Sequence, residues 1–428
     1  MSEATGMTVA IIGTGYVGLT TGACFAHLGH TVICADIDEA KIERLNRGEM
    51  PIYEPGLEQF VRDGLRSGRL KFVVGAANAA RECEFAYLCV PTPQGEDGSA
   101  DLSYLQTAAG EIAEVLPFEA IVVNKSTVPV GSTKVVERVL ERPDVKVVSN
   151  PEFLREGSAV QDFLKPDRVV VGSDDQAAAI KVASLYLGVA APLIVTDPAS
   201  AETIKYAANA FLATKISFVN AVAAVCEAVG ADVNSVVLGM GYDHRIGKDF
   251  LKPGPGWGGS CFPKDTKALV RIAEDAGYDF NLLRGVVAVN DEQRQRIVQK
   301  VVDAVGGDVA GATIAVWGLT FKANTDDMRD SPAIAIVRQL VDMSAKVRAF
   351  DPTTIGRSID GIEVGEDALS VCDGADVLVV LTEWDQFRWI DLEEVGARVG
   401  SRTIVDARNL LDAPTARRLG FGYQGVGR

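Results

Sequence analysis

A strand, a glycine loop, a helix and a second strand at the start of the chain constrain its fold more than any other feature. Thr8-Val9-Ala10-Ile11-Ile12 is a short apolar strand, and Gly13-Thr14-Gly15-Tyr16-Val17-Gly18 follows it. A helical pattern runs to about Leu28, and the strand Thr31 to Ala35 ends at Asp36. Gly13 serves the tight turn, Gly15 lets a pyrophosphate approach the backbone, and Gly18 lets helix and strand pack closely. The helix N-terminus, with its unpartnered N–H groups, receives the negative charge. Asp36 can hold both ribose hydroxyls and repels a 2′-phosphate, which favours NAD over NADP.

The same plan continues. Phe85 to Val90 precedes Pro91-Thr92-Pro93, Ala120 to Asn124 precedes Lys125-Ser126-Thr127, and Val145 to Ser149 precedes Asn150-Pro151-Glu152. In an open α/β sheet the carboxyl ends of the strands form the ligand crevice, so Thr92, Thr127 and Glu152 stand where chemistry happens. A second α/β module starts near Gly311. Its strands, Thr313 to Trp317, Lys346 to Phe350, Asp376 to Leu381 and Thr403 to Val405, end in polar residues. It lacks GxGxxG and carries Lys322, Arg329 and Arg408, cations suited to another phosphate-bearing ligand.

Between the modules, Ala201 to Gly230 is helical in pattern, with no proline or internal glycine. Lys205, Asn209, Leu212, Ile216 and Asn220 recur along it at helical spacing. The expected fold is α/β: two Rossmann-like, doubly wound parallel-sheet domains joined by a central helical region with a long helix. The expected bounds are residues 1–200 for the dinucleotide-binding domain, 201–305 for the helical region and 306–428 for the second domain. A chain of 428 residues exceeds a single ordinary core, in keeping with this division.

The net charge of −16 disfavours a nucleic-acid binder or a protein that coats anionic membranes. No signal peptide and no apolar run of membrane-spanning length is evident, so a cytoplasmic location is expected. The seven cysteines include no CxxC, and most sit among apolar neighbours, as in Tyr87-Leu88-Cys89-Val90. They read as buried thiols in a reducing compartment. His27, His30 and His244 are the only histidines, and none has metal-ligand spacing to cysteine or carboxylate, so no metal site is expected.

Cys261 is set differently. It closes the glycine-rich stretch Pro253-Gly254-Pro255-Gly256-Trp257-Gly258-Gly259-Ser260 and precedes Phe262-Pro263-Lys264-Asp265. A helical pattern, Asp265 to Ala276, follows. A thiol just ahead of a helix N-terminus, with an ammonium three residues on, ionises more readily than a free one and suits attack on carbon. A hydride acceptor and a nucleophilic thiol in one chain point to an oxidation through a covalent thioester.

These motifs together resemble the UDP-glucose 6-dehydrogenase family, within the wider UDP-glucose/GDP-mannose dehydrogenases. The likeness runs through Gly13–Gly18, Cys89 to Pro93, Lys125 to Gly131, Asn150 to Gly157, Lys205 to Asn209, Gly256 to Asp265, Phe321-Lys322 with Thr325 to Arg329, and Asp406 to Asn409. Two departures are small. Trp257 stands where similar proteins often have another aromatic, and Ala221 where an acid often follows the asparagine.

The resemblance implies oxidation of UDP-glucose by two NAD to UDP-glucuronate. The catalytic set it implies is Cys261 as nucleophile, Lys205 and Asn209 as stabilisers of one oxyanion, Asp265 in proton transfer, and Glu152 with Thr127 handling water. Asp265 also fits an N-cap of its helix. Gly13, Gly15, Tyr16, Val17, Gly18, Asp36, Lys41, Thr92, Thr127, Glu156, Lys264 and Arg329 would face the cofactor. Glu152, Phe153, Leu154, Arg155, Lys205 and Asn209 would line the UDP-sugar site. So would Phe250, Leu251, Lys252, Pro253, Gly254, Gly258, Lys322 and Arg408, with Arg245 reaching in from a neighbouring subunit. A homodimer or higher homo-oligomer is therefore expected. Open alternatives are the same chemistry on GDP-mannose or a UDP-N-acetylhexosamine, a two-electron dehydrogenase with a structural Cys261, and a non-catalytic nucleotide-binding regulator.

Overall fold

A computed structural model describes residues 6–93, 95 and 100–428. The chain divides into two compact units, Met1–Ala208 with Lys267–Asp275, and Asn209–Thr266 with Ala276–Arg428.

The first unit is built on eight strands: β1 (Thr8–Ile12), β2 (Thr31–Asp36), β3 (Leu70–Val74), β4 (Phe85–Leu88), β5 (Ile121–Asn124), β6 (Lys146–Ser149), β7 (Val169–Gly172) and β8 (Leu193–Thr196). Their order is β3-β2-β1-β4-β5-β6-β7-β8. Residues alternate between two apolar cores, as strands covered on both faces require. Val9, Ile11, Tyr87 and Val123 enter one core, and Ala10, Ile12, Leu88 and Val122 the other. All pairs are parallel except β6 with β7, which meet antiparallel at Ser149 and Gly172. The strand-by-strand reading did not foresee that reversal. Asn150 helps to hold it, because its side-chain Nδ2 donates to Val170 O at 2.7 Å.

The second unit carries β9 (Thr313–Trp317), β10 (Lys346–Phe350), β11 (Ile362–Val364), β12 (Val377–Val380), β13 (Thr403–Asp406) and β14 (Gly422–Gln424) in the parallel order β11-β10-β9-β12-β13-β14. It repeats the plan of the first sheet at the end of its central strand. Gly13 N donates to Ala35 O, and Gly318 N to Phe350 O, each at 2.8 Å. Both glycines have positive φ, 101° and 93°. Asp36 accepts from Thr14 as Asp351 accepts from Leu319 and Thr320. The two carboxylates then differ. Asp351 is wholly buried and also takes the Trp384 indole N–H, so the protein's own groups occupy it.

The long helix runs over Pro198–Val229. Proline is tolerated in a first helical turn, which lets the helix start before the expected Ala201. Gly230, with φ of +73°, follows its end. By length and composition alone this helix could cross a membrane, contrary to the expectation that no such run exists. Its polar side chains are instead built into the protein. Glu202 accepts from Gly131 N and Thr133 N at 2.6 and 3.1 Å, Ser217 donates to Val286 O at 2.8 Å, and Asn220 accepts from Gly254 N at 2.8 Å.

Candidate active site

In the first unit, the glycine turn shows two different reasons for glycine. A Cβ on Gly13 would lie 2.5 Å from Cys89 O, and one on Gly18 would lie 1.9 Å from Gly13 O. A Cβ on Gly15 would meet no protein atom within 4 Å. Gly13 and Gly18 thus serve packing, and Gly15 leaves the backbone open to close approach. The helix Tyr16–His27 starts at once, aiming its first N–H groups at that approach. Asp36 Oδ2 accepts from Thr14 N at 3.0 Å, Thr14 Oγ1 at 2.6 Å and Lys41 Nζ at 2.8 Å. Burial alone would raise its pKa, but the bonds from Lys41 and Thr14 outweigh burial and bring it to about 2. Asp36 is therefore an anion throughout the physiological range, fit to hold ribose hydroxyls. The residues suit NAD on their own chemistry.

Thr92 and Thr127 meet at the ends of β4 and β5, where Thr92 Oγ1 donates to Thr127 O at 2.8 Å. Beyond β6, Glu152 and Lys205 form an ion pair of 2.7 Å with both side chains only 4% exposed. Glu152 Oε2 also accepts from Leu154 N at 2.6 Å. Burial pushes the Glu152 pKa up, but the Lys205 charge and hydrogen bond, the Leu154 N–H and the Lys125 charge prevail, so the net shift is downward. The Phe153 ring carries the Arg168 guanidinium at 3.7 Å and Lys205 Nζ at 5.6 Å. Arg155 turns away onto Asp162, at 2.5 Å.

In the second unit, Asp265 is fully buried. Asn209 Nδ2 donates to its Oδ2 at 2.6 Å and Lys264 Nζ to its Oδ1 at 2.7 Å. The helix spans Phe262–Asp275 rather than starting at Asp265. Asp265 is thus inside the first turn and is not an N-cap. Its N–H closes that turn on Cys261 O at 2.8 Å. Cys261 sits immediately before the helix, partly exposed, with Ser260 Oγ 3.6 Å from its sulfur. Lys205 Nζ donates to Glu152 Oε1 and Asn209 Nδ2 to Asp265 Oδ2, so the two residues proposed for one oxyanion each also hold a carboxylate.

The loop ahead of Cys261 is fastened from two helices. Asn220 of the long helix accepts from Gly254 N, and Gln293 of the helix Asn281–Ala304 donates to Gly254 O at 2.8 Å. Asn290 grips the Trp257 backbone with both side-chain atoms, at 2.8 and 3.0 Å, and the Trp257 indole donates to Ser217 at 2.9 Å. Phe250 takes a positive φ of 59°, Leu251 and Pro253 are buried, and Lys252 is exposed. A Cβ on Gly254 would lie 3.3 Å from the Arg408 guanidinium. Arg408 donates to Leu381 O and Phe321 O at 2.9 Å each and pairs with Glu383 at 3.0 Å, and Lys322 Nζ lies 5.4 Å from the Phe321 ring. A Cβ on Gly258 would lie 2.0 Å from Asp330 O, and Gly259 N donates to Arg329 O at 3.1 Å. Arg329 and Arg245 are both exposed, on Asp327 and Asp243.

Sequence reasoning had not singled out Thr14, Asn290, Gln293 or Glu54, a buried acid described below. Asn290, Gln293 and Arg294 do share helical spacing, a sign of a buried polar face.

The chain matches the NAD binding domain of the UDP-glucose/GDP-mannose dehydrogenase family over residues 7–189, its central domain over 199–292 and its UDP binding domain over 315–413. The chain belongs to the UDP-glucose/GDP-mannose dehydrogenase family. It is 47% identical to the UDP-glucose 6-dehydrogenase of Rhizobium meliloti (strain 1021), covering 99% of this chain and 100% of that protein. It is 45% identical to the UDP-glucose 6-dehydrogenase TuaD of Bacillus subtilis (strain 168), covering 98% and 93%. Its fold matches a UDP-glucose dehydrogenase from Pyrobaculum islandicum with a TM-score of 0.91 at 36% identity, over 100% and 99% of the two chains. A UDP-D-ManNAc dehydrogenase from Pyrococcus horikoshii gives 0.88 at 29% identity, over 98% and 99%. Within this family the dinucleotide of the glycine turn is NAD, in agreement with the anionic Asp36.

Proposed function

We propose that this protein oxidises the C6 alcohol of UDP-glucose to the acid, consuming two NAD and one water and giving UDP-glucuronate and two NADH. The observation that carries the reading is Cys261, the one cysteine of seven that is not buried, at a helix start one turn from a carboxylate held by Asn209 and Lys264. When bound, NAD accepts the hydride that leaves C6 in each oxidation. Asp265 takes up the hydroxyl proton, and Asn209 and Lys205 stabilise the oxygen that becomes negative. Cys261 thiolate sulfur then bonds to the aldehyde carbon, and the carbonyl oxygen takes the proton back from Asp265. Loss of the second hydride from that carbon, with the hydroxyl proton passing again to Asp265, leaves a thioester on Cys261. Glu152, with Thr127, withdraws a proton from water as its oxygen attacks the thioester carbon. The C–S bond breaks, and the acid and the thiolate are released.

Two NADH per UDP-glucose are expected when absorbance at 340 nm is followed to completion at limiting sugar. One NADH per sugar would replace this reading with a two-electron dehydrogenase. The 0.88 match to a UDP-D-ManNAc dehydrogenase makes other UDP-sugars the natural controls, and each is expected to react more slowly than UDP-glucose.

The active unit is a homodimer, with the helical region 201–305 as the contact between the two subunits. Phe211, Phe218, Val225 and Val229, spaced seven, seven and four apart on the long helix, are each more than half exposed. Such a stripe asks for a second helix. Arg245 then serves the partner's sugar site. Mixing Arg245→Ala with Cys261→Ala chains should restore up to about a quarter of wild-type activity, since random exchange leaves one intact composite site in half of the dimers. No recovery after proven subunit exchange would refute the shared site.

A further inference from the structure

Glu54, in Pro51-Ile52-Tyr53-Glu54-Pro55, has no part in the chemistry above, yet its carboxylate is 6% exposed. Its Oε1 accepts from Ala159 N at 2.7 Å and its Oε2 from Gly157 N at 2.6 Å. The Tyr16 phenol also donates to Oε2. That phenol accepts from Gly157 N at 3.0 Å and lies 3.3 Å from Arg155 O. Burial, and then the Glu54 carboxylate beside it, push the Tyr16 pKa far up, so the phenol keeps its proton and stays a donor.

The two ends of this knot belong to different parts of the site. Tyr16 is the first residue of the helix that follows Gly15. Gly157 closes the stretch that starts at Glu152, the partner of Lys205. A local Ser or Asp would suffice merely to cap the short helix Ala159–Leu164. Here the acceptor comes from 105 residues away and is shared with the glycine turn. A carboxylate this buried is tolerated only when its lone pairs are satisfied, and three donors converge on it.

We propose that Glu54 is a positioning residue for the oxidation: bound at once to Tyr16 of the dinucleotide turn and to the backbone N–H groups of Gly157 and Ala159, it fixes the Glu152–Gly157 segment relative to the cofactor. The proposal rests on the dehydrogenase reading. Loosening the latch displaces Glu152 while leaving the glycine turn and Asp36 untouched, so it acts on turnover more than on cofactor affinity.

The test is a cycle of Glu54→Gln, Tyr16→Phe and the double variant. Turnover and KM with UDP-glucose, NAD affinity by fluorescence titration and thermal melting would be measured on each. Glu54→Gln should lower kcat about tenfold or more, because small misplacements near reacting groups are costly, with NAD affinity within about threefold of wild type. Tyr16→Phe, which keeps both backbone bonds to Glu54, should lower kcat about threefold or more, and the double variant should be no worse than Glu54→Gln. Unchanged kcat in folded Glu54→Gln overturns the proposal. So does a loss confined to NAD affinity, or losses that multiply in the double variant. If Glu54→Gln does not fold, unchanged kcat in Tyr16→Phe overturns it. The wild-type protein run alongside keeps the two readings apart. No wild-type turnover removes the dehydrogenase reading, whereas an active wild type with an equally active Glu54→Gln removes only the latch.

Discussion

Cys261→Ser should reduce acid formation by roughly 10³-fold or more, with UDP-glucose and NAD affinities within about threefold of wild type, because a lost nucleophile costs the chemical step and not binding. The thiolate is the nucleophilic form, and most other thiols of the chain are kept from it. Burial pushes Cys24, Cys83, Cys89 and Cys372 each up to about 12, and Cys34 is raised as well. Cys261 is partly exposed and stands at a helix start, where the N-terminal dipole favours a negative charge. Brief treatment of the native protein with iodoacetamide at neutral pH should therefore label Cys261 first, as read by peptide mass spectrometry. UDP-glucuronate production by pure Cys261→Ser at near wild-type rate would sink the thioester route.

What the sequence made legible was what short-range physics determines. The strands β1 and β9 fall where their apolar runs lie, because strands covered on both faces are largely apolar and end in turn-formers, and β10 was marked by its alternation and by the Asp351-Pro352 that follows it. The glycine turn and Asp36 were legible because a close backbone approach and a ribose acceptor leave few choices of residue. The polar clamps were not. Asn290 reaches Trp257 across 33 residues, Asn220 reaches Gly254 across 34, and Glu54 reaches Ala159 across 105. Such partners are selected by the folded geometry: helical spacing marks Asn220 and Asn290 as polar positions but does not say what they bind. Lys205 and Asn209 show the same limit. Their spacing of four puts both on one side of a helix, but the packing gives Lys205 to Glu152 and Asn209 to Asp265. The reversal at β7 was hidden for a related reason, since a buried strand reads alike in either direction.

Lys205→Ala should injure stability and catalysis separately, and a second substitution should part the two. The Glu152–Lys205 pair is about as buried as an ion pair can be. Removing one partner of such a pair leaves an uncompensated charge and costs about 3–5 kcal/mol. Lys125 cannot simply take over, because its ammonium already serves Asn150 and Tyr186, at 3.1 Å each. Turnover should fall by about 10²–10³-fold, the scale of one lost oxyanion stabiliser. In wild type the folded pKa of Glu152 lies below its unfolded value of about 4.3. The stabilisation from the pair is therefore complete above that value and is lost as pH falls through the lower folded one. Without Lys205, burial is opposed only by the Leu154 N–H and the Lys125 charge, so the folded pKa of Glu152 moves upward. The deficit of the variant is then largest near neutral pH and shrinks as pH falls and Glu152 takes a proton. Chemical denaturation at pH 7.5 and pH 5 measures that trend. Adding Glu152→Gln to Lys205→Ala removes the orphaned charge and should recover most of the lost stability at pH 7.5. It should recover none of the turnover, because an amide neither stabilises the oxyanion nor accepts a proton from water. If Lys205→Ala kept a tenth or more of wild-type turnover, Lys205 would have to be read as a structural partner of Glu152 alone.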